Sequence, residues 1–298
     1  MPSARIRSLL ARTAPPRALQ LGSLLLVGAA LAVGAPPAAA QFTLAVKRDF
    51  TIGGAPQAQA LGDVNGDGRP DLVVANTTGN SVAVLPGVAG GGFGVRADFS
   101  VGAGPAHLAL ADLNGDGRLD IATANTGTTT ISLLFGNGFG TFSGRTDLTA
   151  GSAPRSVLAE DFNGDERPDL VVTNISGNNL SVFLARVGGG FDAKVDYATG
   201  VQPLSSAALD YNQDGRLDLV VANTSSNTIS LFPGDGRGAF GARTDLATGA
   251  SPRALAVGDL NGDALPDVVV PNFTSNNVSV FLGNGAGLSS TGIALSEA

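Results

Sequence analysis

The stretch that decides the fold is Asp63-Val64-Asn65-Gly66-Asp67-Gly68-Arg69-Pro70-Asp71-Leu72-Val73-Val74. Its skeleton, Asp-x-Asn-x-Asp-x-x-x-Asp, returns at Asp112, Asp161, Asp210 and Asp259, always 49 residues on. The same period carries Pro56, Pro105, Pro154, Pro203 and Pro252, then Asn76, Asn125, Asn174, Asn223 and Asn272, and also Phe93, Phe142, Phe191 and Phe240. A fixed period of this size is the mark of stacked supersecondary units. Five units account for 245 of the 258 residues that follow Ala40.

Each unit reads as four short strands. The first runs from the Pro towards the acidic loop, as in Ala254-Leu255-Ala256-Val257. The second is a nearly continuous apolar run, such as Leu219-Val220-Val221-Ala222, which suits a strand covered on both faces. The third alternates, as in Asn277-Val278-Ser279-Val280-Phe281, and the fourth follows a Gly-rich turn, as in Arg145-Thr146-Asp147-Leu148. No helical period stands out beyond residue 40. The reading is therefore all-β: a β-propeller of four-stranded antiparallel blades, five in number. Ring closure is expected from a terminal outer strand, Phe42–Phe50 or Thr291–Ser296, because closure hides edges that would otherwise aggregate.

The units resemble FG-GAP, or VCBS-type, repeats, the blades of integrin α-chain propellers. The matching residues are Gly54-Ala55-Pro56, the loop from Asp63 to Val74, and Gly92-Phe93-Gly94. The resemblance implies a propeller with calcium in its loops and a role in adhesion or interaction. Integrin heads have seven blades, whereas five units are visible here.

Three carboxylates within nine residues repel one another, and a hard dication that binds six to eight oxygens removes the repulsion. The expected ligands are Asp63, Asn65, Asp67, the carbonyl of Arg69, and Asp71. The later loops repeat them as Asp112, Asn114, Asp116, Arg118 and Asp120; Asp161, Asn163, Asp165, Arg167 and Asp169; Asp210, Asn212, Asp214, Arg216 and Asp218; and Asp259, Asn261, Asp263, Leu265 and Asp267. An EF-hand would need Glu at the twelfth position, where this chain has Val74, Thr123, Val172, Val221 and Val270. Instead the ninth-position Asp closes the cage, as in FG-GAP blades. Oxygen-only ligands favour Ca²⁺, up to five ions, over transition metals or Mg²⁺. Gly68 supplies a left-handed turn. Glu166 and Ala264 replace it in the third and fifth loops, which are expected to bind more weakly.

Composition narrows the function. There is no Cys or Trp, and His107 is the single histidine. Disulfides, thiol catalysis, Cys-ligated zinc and His-cluster metal sites are thereby excluded. Residues 1–40 hold Arg5, Arg7, Arg12 and Arg17, no acid, an apolar run from Leu19 to Val33, and Ala38-Ala39-Ala40. This is the form of a secretory signal peptide, leaving residues 41–298 as the propeller, without a transmembrane span. Secreted, periplasmic or cell-surface residence is expected. Without the four leader arginines, 14 bases face 25 acids, a net charge of −11. Nucleic acid is a poor partner for such a surface.

A second ladder places a base two residues before an acid: Lys47/Asp49, Arg96/Asp98, Arg145/Asp147, Lys194/Asp196 and Arg243/Asp245. Surface ion pairs are the expectation, with a repeated ligand site as the sharper reading. His107 reads as a tolerated substitution at a strand start. No phosphate loop or nucleophile elbow is present. The function expected is a non-enzymatic adhesion or protein-interaction module with an unidentified protein or glycan ligand. A lectin-like propeller is the alternative, and a polysaccharide or phosphoester hydrolase or lyase the third reading.

Overall fold

The computed structural model describes residues 47–289. Residues 1–40, read above as a signal peptide, most of Phe42–Phe50, and Thr291–Ser296 lie outside them. The described chain is all-β and forms five antiparallel four-stranded sheets in sequence order. Blade 1 holds β1 (Pro56–Gly62), β2 (Asp71–Asn76), β3 (Ser81–Leu85) and β4 (Ala97–Ser100). Blade 2 holds β5 (Pro105–Ala111), β6 (Asp120–Asn125), β7 (Thr130–Leu134) and β8 (Thr146–Thr149). Blade 3 holds β9 (Pro154–Glu160), β10 (Asp169–Asn174), β11 (Asn179–Phe183) and β12 (Val195–Ala198). Blade 4 holds β13 (Pro203–Leu209), β14 (Asp218–Asn223), β15 (Thr228–Phe232) and β16 (Thr244–Ala247). Blade 5 holds β17 (Ala256–Gly258), β18 (Asp267–Asn272), β19 (Asn277–Gly283) and the short β20 (Leu288–Ser289). This is the five-blade propeller architecture expected from the 49-residue period.

The prolines stand where a missing N–H does least harm. Pro56, Pro105, Pro154 and Pro203 each open a first strand, and the register slips just after each of them. A proline cannot donate to the ladder, so the strand start and a bulge are its natural places. First strands lie side by side, β1 on β5, β5 on β9 and β9 on β13, with β13 and β17 touching over a shorter stretch. No comparable packing joins β17 back to β1 among the described residues.

The core is a series of layers between blades. One layer sets Val73, Ala75, Val82 and Val84 of blade 1 against Leu108, Leu110, Ile121 and Leu134 of blade 2. The next sets Ala122, Ala124, Ile131 and Leu133 against Val157, Leu170, Val172 and Phe183. Equivalent layers join blades 3 and 4 and blades 4 and 5. Middle strands such as β6, β10 and β14 are buried along their whole length. That explains their unbroken apolar runs: both faces meet another blade. Each fully buried Ile or Leu contributes roughly 2 kcal/mol through burial.

The antiparallel order also fixes where the loops lie. Every first strand runs from its Pro end to its acidic loop, so all five loops gather at one end of the blades. The prolines and the turns between second and third strands occupy the other end.

Candidate metal centre

Each acidic loop is built by side chains folding back onto their own backbone. In the first, Asp63 Oδ1 accepts the N–H groups of Gly66 and Asp67 at 2.8 and 3.1 Å, and Oδ2 accepts that of Gly68 at 2.7 Å. Asn65 Oδ1 takes the Asp67 N–H at 2.9 Å, and Asp67 Oδ1 takes the Arg69 N–H at 2.9 Å. Short Asp and Asn side chains favour such local bonds, which is why they fill this loop. The Asn-to-amide bond recurs at Asn114, Asn163, Asn212 and Asn261.

The ninth-position acid behaves differently. Asp71, Asp120, Asp169, Asp218 and Asp267 are fully buried. Each spans two segments. Asp120 Oδ2 accepts the Leu113 N–H at 2.8 Å within its loop, and Oδ1 accepts the Gly136 N–H at 2.7 Å, 16 residues on. Asp71, Asp169, Asp218 and Asp267 repeat both bonds. This carboxylate fastens the loop to the connection that follows the third strand. Burial pushes Asp120 and Asp169 up to about 6 against the pull of those backbone donors, with the neighbouring loop acids raising them further. Asp218 is raised for the same reason.

The fifth-position acid faces its own arginine. Arg69 reaches Asp67 at 2.5 Å, Arg118 reaches Asp116 at 3.7 Å and Arg216 reaches Asp214 at 3.8 Å, while Arg167 pairs with Asp165. Leu265 leaves Asp263 without that pair. The structure thus brings all five sets of expected ligand residues into five equivalent loops. As the side chains stand, no three His, Cys, Asp or Glu groups gather round one point among the described residues. The donor chemistry still fits a hard cation: every side-chain donor in the set is oxygen, and at Asp120, Asp169 and Asp218 burial and the neighbouring loop acids disfavour the charged form, a cost that a bound cation would offset.

The turn position is left-handed in every loop. Gly68, Gly117 and Gly215 have φ of 79°, 81° and 81°, and Glu166 and Ala264 hold the same region at 65° and 66°. The fourth loop has a departure that the reading of the turn glycine missed. Gln213, φ 58°, stands where the other loops have Gly66, Gly115, Gly164 and Gly262 at 76° to 79°. In those loops the residue's N–H donates to the first acid. The bonds to Asp210 come from Asp214 and Gly215 alone.

The base–acid ladder forms its ion pairs: 2.9 Å for Lys47–Asp49 and Arg96–Asp98, 3.1 Å for Arg145–Asp147 and Arg243–Asp245, with Lys194 also on Asp196. These pairs belong to a larger network. Ser132, Ser181 and Ser230 each donate to the adjacent acid, and each accepts from the Asn of its own blade. In blades 2 to 4 the Asn ladder, visible as a period, is thus a buried polar tie between second, third and fourth strands, whereas Asn76 of blade 1 donates to the Ile52 carbonyl. Glycine is required beside it: a Cβ at Gly151 would lie 2.6 Å from the Asn174 side chain.

His107 lies on β5, half-buried. Its Nδ1 accepts the Val157 N–H at 3.4 Å, and it borders a cavity of about 410 Å³ with Pro56, Gln57, Ala58, Gln59 and Val74. Burial and then the charge of Arg155 hold its pKa down at about 4.

The FG-GAP-like repeat matches this chain four times in overlapping steps, at residues 63–123, 112–172, 161–221 and 210–270. No functionally curated protein matches it. Among solved structures, a functionally unknown protein from Desulfotomaculum acetoxidans DSM 771 is similar at 15% identity and a TM-score of 0.60, over 81% of this chain and 70% of that one. An Agrocybe aegerita lectin that recognises non-reducing terminal N-acetylglucosamine is similar at 20% identity and a TM-score of 0.55, over 78% of this chain and 64% of the lectin. BBS1N, solved in complex with ARL6DN, is similar at 14% identity and a TM-score of 0.54, over 78% of this chain and 66% of that one. These likenesses are likenesses of fold. Repeat period, blade order and loop residues agree with the repeat match: this chain belongs to the FG-GAP-like repeat family.

Proposed function

We propose that the protein is an exported, calcium-binding propeller that works as a non-enzymatic interaction module. One observation supports the reading: the same oxygen-rich loop occurs five times at one end of the blades, each time around a buried aspartate, and at Asp120, Asp169 and Asp218 the neighbouring loop acids add like charge. An isolated turn needs no such acid. A dication would lower the cost of gathering three carboxylates and lock the loop to the following connection. The residues that would hold it are the first, third, fifth and ninth side chains of each loop, with the seventh carbonyl. The ion supplies charge and rigidity there, and this chain's own residues supply the binding surface.

Export is supported by the residue pattern of the leader. No helix among the described residues is long and apolar enough to cross a membrane. The reading as an interaction module draws on the blade architecture and on the lack of a phosphate loop or nucleophile elbow in the sequence. A lectin-like role is the second reading, favoured by the shared fold with a sugar-binding propeller. The scarcity of Trp and Tyr, none and two, leaves few stacking platforms for sugar rings. Calcium titration by calorimetry tests the ion: saturable heat with a stoichiometry above one per chain is expected, and no heat in the millimolar range would refute it. A glycan array separates the two module readings, since specific sugar binding would favour the lectin.

A further inference from the structure

The 14 bases beyond residue 40 differ in what they face. Ten stand in ion pairs with an acid. Arg48 donates to the Gly91 carbonyl, and Arg237 lends its charge to Asp235. Arg155 and Arg253 remain. Neither has an ion pair or a side-chain hydrogen bond among the described residues, and the Arg253 guanidinium lies 4.0 Å over the ring of Phe273.

These two arginines hold the same place in the repeat. Arg155 follows Pro154 and Arg253 follows Pro252, where the other units have Gln57, Ala106 and Leu204. Both therefore lie at the proline end of the blades, away from the 15 loop aspartates. Arg155 shares a face of β9 with Val157 and Ala159, which pack in one layer with Ala109 of β5. His107 shares that face of β5 with Ala109, and its Nδ1 accepts the Val157 N–H. His107 and Arg155 thus stand together between blades 2 and 3. The charge of Arg155 acts on His107, while burial and then the charge of Arg253 pull Arg155 below the usual arginine range. Three nitrogen-bearing side chains from three blades come together here, and no carboxylate accompanies them.

A half-buried guanidinium beside a like charge is a cost to the fold. The blade does not require it, because Ala106 and Leu204 serve the same position in blades 2 and 4. A bound anion would turn the arrangement into a gain. The hydrogen-bonding groups agree in sign. Since His107 Nδ1 accepts, its neutral ring carries the proton on Nε2 and donates from there. The cavity of about 410 Å³ that His107 borders has the amides of Gln57 and Gln59 in its wall and no acid. Arg253, stacked flat on Phe273, keeps its N–H edge free for an oxyanion.

We propose that the proline end of the inner strands binds a small doubly charged oxyanion, a phosphate or sulfate group, clamped by Arg155 and Arg253 with His107 Nε2–H as a further donor. Two guanidinium groups supply two charges and planar forks that match pairs of oxygens on such a group. The site lies at the opposite end from the calcium loops and does not depend on them.

The single histidine is the reporter. In an NMR titration of the full chain at neutral pH, with calcium fixed and chloride holding the ionic strength, sodium sulfate or inorganic phosphate should shift the His107 ring signals and saturate. Arg155→Leu and Arg253→Leu, which copy the residue of blade 4, should each weaken binding by roughly tenfold or more. Without sulfate both variants should melt no lower than the parent, and both should lose the rise in melting temperature that sulfate gives the parent. Arg243→Gln, in the outer ladder, should leave the titration unchanged. Equal titrations of the parent and the two Leu variants would overturn the proposal, as would chloride shifting His107 as far as sulfate does. Acetate binding as tightly as sulfate would overturn the doubly charged ligand. Glu297 is the one acid of the sequence outside the described residues. Sulfate binding that appears only in Glu297→Gln, or only in a chain ended at Ser289, would show that the chain's own carboxylate fills the place and would overturn the proposal as well.

Discussion

At the scale of the residue, the five loops share their left-handed turns and differ in which residue holds them. Ala264, Glu166 and Gln213 occupy left-handed backbone that elsewhere in the repeat belongs to Gly. A Cβ in that region costs on the order of 1 kcal/mol. Ala264→Gly and Gln213→Gly should each stabilise the protein by about 1 kcal/mol, and Gly117→Ala should destabilise it by about as much or more. Denaturant unfolding of the three variants checks this, and an unchanged midpoint in all three would contradict it. His107 supplies a pH dependence. Its folded pKa, about 4, lies below the usual 6.5. The unfolded chain therefore binds the proton first, and stability present above pH 6.5 is lost as pH falls towards 4. Full titration amounts to about 3 kcal/mol. Asp120 and Asp169, raised to about 6, act in the opposite sense, because the fold favours their protonated forms as pH falls. The difference between the parent and His107→Gln isolates the imidazole. It should stay level above pH 6.5 and move against the parent below, and a level difference down to pH 4 would refute the assignment.

At the scale of the element, the ninth-position aspartate is the fastening between an acidic loop and the next connection. Asp120→Ala leaves the Leu113 and Gly136 N–H groups without their acceptor in a buried place. Each lost partner costs roughly 1–3 kcal/mol. Asp120→Ala should therefore lower stability even with calcium chelated, and by more than Asp112→Ala, whose carboxylate is partly exposed. Melting both variants in EDTA measures the difference; equal losses would contradict the fastening role, and no loss in either would argue that the two acids matter only as ligands. In calcium, Asp112→Ala should do more harm than Asp259→Ala, because Ala264 already strains the fifth loop.

At the scale of the whole molecule, charge is concentrated in the loops. The five loops place 15 Asp at one end of the blades, in a chain whose net charge beyond residue 40 is −11. Five Ca²⁺ would bring that to −1. A ligand at a hundredfold excess over its Kd stabilises the native state by roughly 2.7 kcal/mol per site. A large fall in melting temperature is expected on adding EDTA, with recovery when calcium is restored. An unchanged melt, together with no calcium by elemental analysis, would remove the metal reading. Calcium sites of extracellular modules often bind at roughly 10⁻⁴–10⁻³ M, so the titration must reach millimolar calcium.

The blade count, the strand order within a blade and the five loops were legible in the sequence because each depends on contacts within one 49-residue unit or with the next. A repeat records such contacts as ladders. Pro56, Pro105, Pro154 and Pro203 mark strand starts, while Pro252 makes only an isolated bridge to Asn272 ahead of β17, and the apolar run Leu219–Ala222 marks a strand with two covered faces. The ladders did not disclose their partners. Asn174 stands out as a period, but that its amide meets Ser181, and that Ser181 meets Asp196, depends on the pairing of three strands. Asp71, read as an ion ligand, also joins its loop to Gly87 across 16 residues, a bond that composition cannot express. The state of the ends was likewise decided in three dimensions. Leu61 and Leu110 are the same residue at the same repeat position, yet Leu110 is buried against blade 1 while Leu61 has no such neighbour among the described residues.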